Sequence, residues 1–319
     1  MILLLGATGY IGQAFADELK RRNISFIPLS RKETNYTHFS PFYAYLKARK
    51  PEFVINAAGY TGKPNVDACE IAKADTLAGN TLFPQVVANA CAALDIPWGH
   101  VSSGCIYSGA KIVANGMTRA EKDMTRPELR ALVEKSPQSI RGFTEVDTPN
   151  FSFRDPPCSF YSGSKALGEE AIAGVGKSYI WRLRIPFDEF DNARNYLSKI
   201  QRYAKAYDNV NSVSHRADFV RACLDTWALR APFGTYNVTN PGFVTTRQVV
   251  GMIESILKTG RKFEFWENDK EFYTTGAKTP RSNCVMDVSK LIAAGVKIRP
   301  VEEALEHSLK NWKPEKPSN

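Results

Sequence analysis

A chain of 319 residues, 43% of them hydrophobic, is long enough to bury a full core, either as two domains or as one large α/β unit with an appended lobe. The formal net charge of +9 comes from scattered basic residues with no basic stripe of interleaved aromatics, which sets aside nucleic-acid binding and suits a small anionic ligand. The six cysteines form no Cys-x-x-Cys pair and the four histidines show no ligand spacing; no disulfide framework and no metal site are expected, and the thiols fit a reducing cytoplasm.

The first apolar run, Ile2–Leu5, stops at Gly6. It is far too short for a membrane span of ~20 residues or a signal segment, so it reads as a buried strand. Gly6-Ala7-Thr8-Gly9-Tyr10-Ile11-Gly12 then opens a helical pattern over Ile11–Arg22. In strand-turn-helix context these glycines let the backbone approach a pyrophosphate seated on the helix N-terminus, which makes Gly6, Thr8, Gly9, Tyr10, Ile11 and Gly12 cofactor-binding candidates. The second strand, Ile24–Leu29, runs into Ser30-Arg31-Lys32, where an NAD-binding fold carries an acid. Ser30 and Arg31 suit a 2′-phosphate and favour NADPH, while nearby Glu33 leaves NADH open.

Further strands are expected at Phe53–Asn56, Trp98–Ser102 and Tyr179–Arg184, with a helical stretch over Ala74–Leu94. Continuous apolar strands with helical crossovers imply a doubly wound parallel sheet of Rossmann type. Ser103 follows the fourth strand, at its carboxyl end, where it can hydrogen-bond a substrate carbonyl. Tyr161-Ser162-Gly163-Ser164-Lys165 sets Tyr161 and Lys165 four apart on one helical face, so that an ammonium beside a phenol can lower its pKa and aid proton donation.

Residues 1–185 are expected to form the dinucleotide-binding domain, interrupted at about 108–155 by a polar insertion with a short helix around Arg126–Glu134. That insertion reads either as a lid over the site or as a surface that contacts a partner. Residues 186–319 read as a smaller mixed α/β substrate-binding lobe, with elements at Gly234–Thr239, Thr246–Lys258, Lys262–Trp266 and Val301–Trp312 and a frayed tail at Lys313–Asn319.

The glycine loop, Ser103, Tyr161 and Lys165, in this order, resemble the extended short-chain dehydrogenase/reductases. Longer stretches are similar to the nucleotide-rhamnose synthase/epimerase-reductases and, more loosely, to the dTDP-4-dehydrorhamnose reductases: Asn56-Ala57-Ala58-Gly59, Gly62-Lys63-Pro64-Asn65-Val66-Asp67, Ser103-Gly104-Cys105-Ile106, Asp147-Thr148-Pro149-Asn150-Phe151, Ser159-Phe160-Tyr161, Arg194 through Ile200, Tyr236 through Gly242 and Pro280-Arg281-Ser282-Asn283. The resemblance implies a Ser103-Tyr161-Lys165 reductase triad, cofactor contacts from Asn56, Ala57 and Ala58, and a nucleotide-sugar substrate. Cys105 and Lys199 match the positions that invert carbons 3 and 5 beside the C4 ketone, a reaction that needs a base and a proton donor. Lys63, Asn65, Asn80, Asn195 and Arg281 match loops near the substrate, Arg281 as a diphosphate clamp. Taken alone, Cys105 is as readily a small buried hydrophobe, Lys199 a surface lysine and Arg281 half of a surface ion pair.

The implied activity is an NADPH-dependent 3,5-epimerase/4-reductase making nucleotide-L-rhamnose. A 4-reductase alone and a non-catalytic dinucleotide-binding protein are the alternatives. UDP and dTDP are not distinguished, and Ala74–Leu94 and Ser159–Gly174 are candidate homodimer faces that a monomer could equally bury.

Overall fold

Strands without a polar face are stable only where both sides are covered, and six of them pair in a single parallel sheet. They are β1 (Ile2–Leu5), β2 (Phe26–Leu29), β3 (Phe53–Asn56), β4 (Trp98–Ser103), β5 (Ser178–Leu183) and β6 (Gly234–Asn237), in the order β2-β1-β3-β4-β5-β6. The computed structural model describes residues 1–63 and 65–314, so Pro64 of the matched loop and the tail residues 315–319 lie outside the described residues.

Alternation within β1 divides the core. Ile2 and Leu4 join Phe15, Leu19, Trp181 and Phe219 under helices α1 (Tyr10–Arg21) and Arg216–Ala228, while Leu3 and Leu5 join Phe42, Leu46, Val87 and Ala88 under the helices of the other face. Because the strand order reverses between β1 and β3, a crevice opens at their carboxyl ends, where the glycine loop lies.

Three features depart from the sequence reading. A helix at Phe39–Arg49 was not expected: aromatic side chains ring it, and only Phe42 and Leu46 are buried, which blurs its apolar stripe. The stretch read as one helix over Ala74–Leu94 is interrupted by a π turn at Ala78–Leu82, between Lys73–Leu77 and Phe83–Ala93. The boundary at 185 does not divide the sheet, because β6 pairs with β5 and helix Arg216–Ala228 covers one face of it. Short and polar as Gly-Thr-Tyr-Asn, β6 gave no sign of belonging to the buried sheet.

The insertion is ordered. Ala110–Ala114 and Met117–Glu121 pair as a hairpin through Asn115-Gly116, both with positive φ, and Ile140–Arg141 adds a third strand. With helix Pro127–Lys135 they bury Ile112, Leu129 and Ile140 together with Val210 and Val285 of the chain's second half, and Arg130 pairs with Asp208 at 3.0 Å. The insertion is thus a packed subdomain seated on the lobe. The tail is pinned as far as Lys313, whose N–H donates to Glu189 O at 2.8 Å and whose carbonyl accepts from Asp191.

Asp218, 3% exposed, joins the lobe to the sheet: it accepts from Arg299 Nε at 2.6 Å and from Asn240 Nδ2 at 2.9 Å. Burial raises its carboxyl, but hydrogen bonds from His215, Arg299 and Asn240 outweigh that and hold it below the usual carboxylate range. Removing this anion strips a partner from buried His215 and from the partly buried Arg299 and leaves one N–H of the Asn240 amide unsatisfied, so Asp218→Ala is expected to lower stability by about 3 kcal/mol, measured by urea unfolding.

Candidate active site

Gly6 leaves β1 with φ +77°, and the backbone of Ala58 lies so close that a Cβ on Gly6 would sit 2.6 Å from its nitrogen. A Cβ on Gly12 would sit 2.0 Å from Gly6 O, so the first turn of α1 packs directly on the loop. Gly9 caps α1 in an extended conformation with no side-chain hydrogen bond, leaving the first N–H groups for a ligand. Thr8 is exposed, Ile11 packs against the core, and the ring of Tyr10 carries the Arg216 guanidinium at 4.5 Å.

Across the crevice, Asn56 is fully buried. Its Oδ1 accepts from Ala58 N at 3.0 Å and its Nδ2 meets His100 Nδ1 at 3.2 Å, so the side chain shapes the Ala57–Ala58 turn. At the end of β2, Ser30 Oγ accepts from Lys32 N and Glu33 Oε2 accepts from Ser30 N at 3.3 Å. Arg31 is exposed and, among the described residues, forms no ion pair.

The three residues expected to form the reductase triad come from β4 and helix Phe160–Ile172. Ser103 ends β4 and caps the short turn Gly104–Ile106, its Oγ accepting from Cys105 N at 3.2 Å. Ser159 caps the helix, and Tyr161 and Lys165 follow on its buried face. The Tyr161 phenol interacts with Ser103. The ammonium was expected to lower the phenol's pKa; instead burial, with Cys105, pushes Tyr161 up, and Ser103 and Arg184 only partly offset it. Burial also brings Lys165 down to about 8, against the pull of Glu169 and Cys105, and its Nζ donates to Val101 O at 3.4 Å.

Cys105 is half-buried beside Ser103, and its Sγ receives Arg184 Nη1 at 3.1 Å. The sequence reading took Arg184 only as the end of a strand. The available signal was a cation closing an otherwise apolar run.

Asn195 caps helix Tyr196–Arg202 through Leu197 N at 2.9 Å, and its amide donates to Asp188 O at 2.8 Å and Phe190 O at 2.7 Å. Its side chain is thereby spent on placing Lys199. Burial, with Arg194 and Arg281, lowers the Lys199 ammonium below the usual lysine value. Asn80 is similarly occupied: it holds Tyr60 N and O at 2.9 and 2.8 Å and Ser164 Oγ at 3.1 Å, bracing helix Phe160–Ile172. Arg281 pairs with Asp67 at 2.6 Å and Thr279 Oγ1 at 2.8 Å, and Arg194 donates to Thr61 Oγ1 at 2.9 Å. The matched loops therefore hold one another around Lys199. Lys63 and Asn65 are exposed at the rim, with Asn65 Oδ1 capping the Val66–Glu70 turn.

Among the described residues no cluster of His, Cys, Asp or Glu could hold a metal ion, and no helix is long and apolar enough to cross a membrane.

Residues 1–313 match the RmlD substrate binding domain family. The chain belongs to that family. Among curated relatives, it is 30% identical over 305 residues to the trifunctional UDP-glucose 4,6-dehydratase/UDP-4-keto-6-deoxy-D-glucose 3,5-epimerase/UDP-4-keto-L-rhamnose-reductase of Arabidopsis thaliana, covering 95% of this chain and 41% of that protein. The chain therefore spans about two fifths of the length of the trifunctional relatives. It is 29% identical over 307 residues to the bifunctional dTDP-4-dehydrorhamnose 3,5-epimerase/dTDP-4-dehydrorhamnose reductase of the same plant, covering 95% of this chain and 90% of that one. The fold matches the crystal structure of a UDP-rhamnose synthase from Acanthamoeba polyphaga mimivirus with a TM-score of 0.81 at 21% identity, over 97% and 98% of the two chains. A dTDP-4-dehydrorhamnose reductase from Bacillus anthracis, solved with NADP, gives 0.73 at 19% identity over 98% and 97%.

The packing of the glycine loop on α1 sets an expectation for this family member. Gly12→Ala is expected to weaken NADPH binding by about tenfold or more, read by cofactor fluorescence titration, because the added methyl would drive the loop from the α1 N-terminus, the expected seat of the pyrophosphate.

Proposed function

We propose that the chain is an NADPH-dependent oxidoreductase that reduces the C4 ketone of a nucleotide-linked 4-keto-6-deoxyglucose and inverts carbons 3 and 5, giving nucleotide-L-rhamnose. The observation that carries this reading is the place of Cys105: its N–H donates to Ser103 Oγ at 3.2 Å, and its thiol lies near enough to Tyr161 to bear on the phenol. A ketone oxygen held by Ser103 and Tyr161 would bring its neighbouring carbons within the reach of that thiol. The names of the curated relatives, which pair 3,5-epimerase with reductase, support the same conclusion.

The glycine loop fits a dinucleotide: a Cβ on Gly6 would strike the Ala58 backbone and one on Gly12 the Gly6 carbonyl, so only glycines let the loop close this tightly on the start of α1. Bound NADPH supplies the hydride for C4. Arg31, exposed at the end of β2, is available to a 2′-phosphate, while the Glu33 carboxylate is turned onto Ser30 N. Tyr161, kept protonated by burial, donates its proton to the developing alkoxide, and Ser103 hydrogen-bonds the same oxygen. For the inversions, the Cys105 thiolate takes the proton alpha to the ketone, the electron pair moves to the C4 oxygen, and Lys199, with its lowered pKa, is suited to returning a proton. The sugar carries UDP or dTDP. Free cysteines fit action in the cytoplasm, and Leu82 and Leu167, exposed on the two helical stretches flanking the sheet, fit a homodimer.

The test is NADPH oxidation with UDP- or dTDP-4-keto-6-deoxyglucose in D₂O. Wild type is expected to yield an L-rhamnose product deuterated at C3 and C5, and Cys105→Ala to lose that exchange. NADPH consumption without exchange would leave a 4-reductase alone. NADPH binding with no turnover would mark a non-catalytic dinucleotide-binding protein.

Two further outcomes follow from the triad. Tyr161→Phe is expected to slow reduction by about 100-fold or more, the worth of a positioned proton donor. Lys165 is charged below about 8 and neutral above it, so the reduction rate should fall as pH rises through that value, and in Lys165→Met this limb should be absent from the remaining activity.

A further inference from the structure

Arg184 stands just beyond β5 and is 3% exposed. Its Nη2 donates to Asn211 Oδ1 at 2.6 Å and to Ser282 O, its backbone N donates to Ser214 Oγ, and its Nη1 reaches Cys105 Sγ. These oxygen acceptors are all neutral, and among the described residues no carboxylate lies within salt-bridge distance of the guanidinium. Other buried arginines are treated differently. Arg182, two residues earlier, is held by Glu169 at 2.7 Å, and Arg216 by Asp188 at 2.7 Å. Burying a cation without an anion is costly, so the pocket around Arg184 must acquire a negative charge.

The groups that can supply it are few. Cys284, Cys105, Tyr196 and Tyr161 are acidic groups that bear on Arg184. Cys284 is fully buried, its Sγ donating to Gly104 O at 3.3 Å. Burial raises the Cys284 thiol and the Tyr161 phenol and pushes the Tyr196 phenol up to about 12, so all three stay neutral. The remaining sulfur is Cys105, half-buried and at 3.1 Å.

We propose that Arg184 is the positioning residue of Cys105: it holds the sulfur as a thiolate, aimed from a fixed rotamer at the substrate carbon. This deepens the epimerase reading of Cys105 and rests on it. The resting thiol gives its proton to solvent, and the thiolate then takes the substrate proton. The S–H bond forms as the C–H bond breaks, and the negative charge passes to the enolate oxygen at Tyr161 and Ser103. Arg184 acts on Tyr161 as well, so the cation stays close to the charge at both ends of its move.

The test reads the thiol without any sugar. Cys105 alkylation by iodoacetamide at pH 7 is mapped by peptide mass in wild type, Arg184→Gln, Arg184→Lys and Asn211→Asp, with half-buried Cys158 as internal reference. Arg184→Gln is expected to slow Cys105 by at least about tenfold, the effect of removing a cation at hydrogen-bond distance, and Arg184→Lys to recover part of the rate. Asn211→Asp supplies a competing carboxylate while leaving Arg184 in place, and should slow Cys105 as well. Should Arg184→Gln fail to fold by thermal melting, Asn211→Asp decides. Wild-type alkylation rates in the folded variants would overturn the proposal. Absence of deuterium exchange in wild type would instead overturn the epimerase reading and leave the alkylation result standing.

Discussion

The Glu169 carboxylate fixes the cleft. It sits on helix Phe160–Ile172 one turn beyond Lys165 and accepts from Ser102 Oγ at 2.5 Å and from Arg182 Nη2 at 2.7 Å. Ser102 immediately precedes Ser103 on β4, and Arg182 lies two residues before Arg184 at the end of β5. One buried anion thus sets the register between the helix carrying Tyr161 and Lys165 and both strands that present Ser103 and Arg184. Arg182 extends the clamp to Tyr107, whose hydroxyl donates to Asp147 O at 2.7 Å, so the root of the insertion is held by the same charge. The helix approaches so closely that a Cβ on Gly168 would meet Asn80 O at 2.1 Å. A buried pair of this kind contributes little net stability when intact but leaves an uncompensated charge when broken, and it specifies a single arrangement of the four groups.

What could be read from the sequence was what is local. The strand-turn-helix around Gly6–Gly12 and the i, i+4 spacing of Tyr161 and Lys165 are encoded within a few residues, and the apolar strands declare their burial directly. The hairpin over Asn115-Gly116 carried the same kind of short-range sign, an Asn-Gly pair between strand-forming residues, and went unread amid the charge of the insertion. Arg184 was not legible, because its meaning depends on Cys105, Asn211 and Ser282, which lie 79, 27 and 98 residues away. The assignment of β6 likewise depends on pairing with β5 and not on its own composition.

The asparagines show how a matched motif can mark scaffold rather than contact. Asn56, Asn80 and Asn195 each lie in a stretch or loop shared with the rhamnose enzymes, and each directs its amide into the protein. Their work is indirect: Asn56 sets the turn that presses on Gly6, Asn80 braces helix Phe160–Ile172, and Asn195 starts the helix that carries Lys199. Arg281 belongs partly to this group, since Asp67 occupies it and thereby joins the loop after β3 to the segment before Cys284.

The completion of the sheet by β6 bears on how the chain is made. Until residues 234–237 emerge from the ribosome, β5 presents an open row of backbone donors and acceptors along most of its length, with Tyr179 and Trp181 beside it. An unpaired apolar edge of this kind is a template for association between nascent chains. Helix Arg216–Ala228, which covers the same region, precedes β6 by only a few residues, so the edge is shielded and then paired in quick succession. The order of elements along the chain thus shortens the interval in which the half-built sheet is exposed.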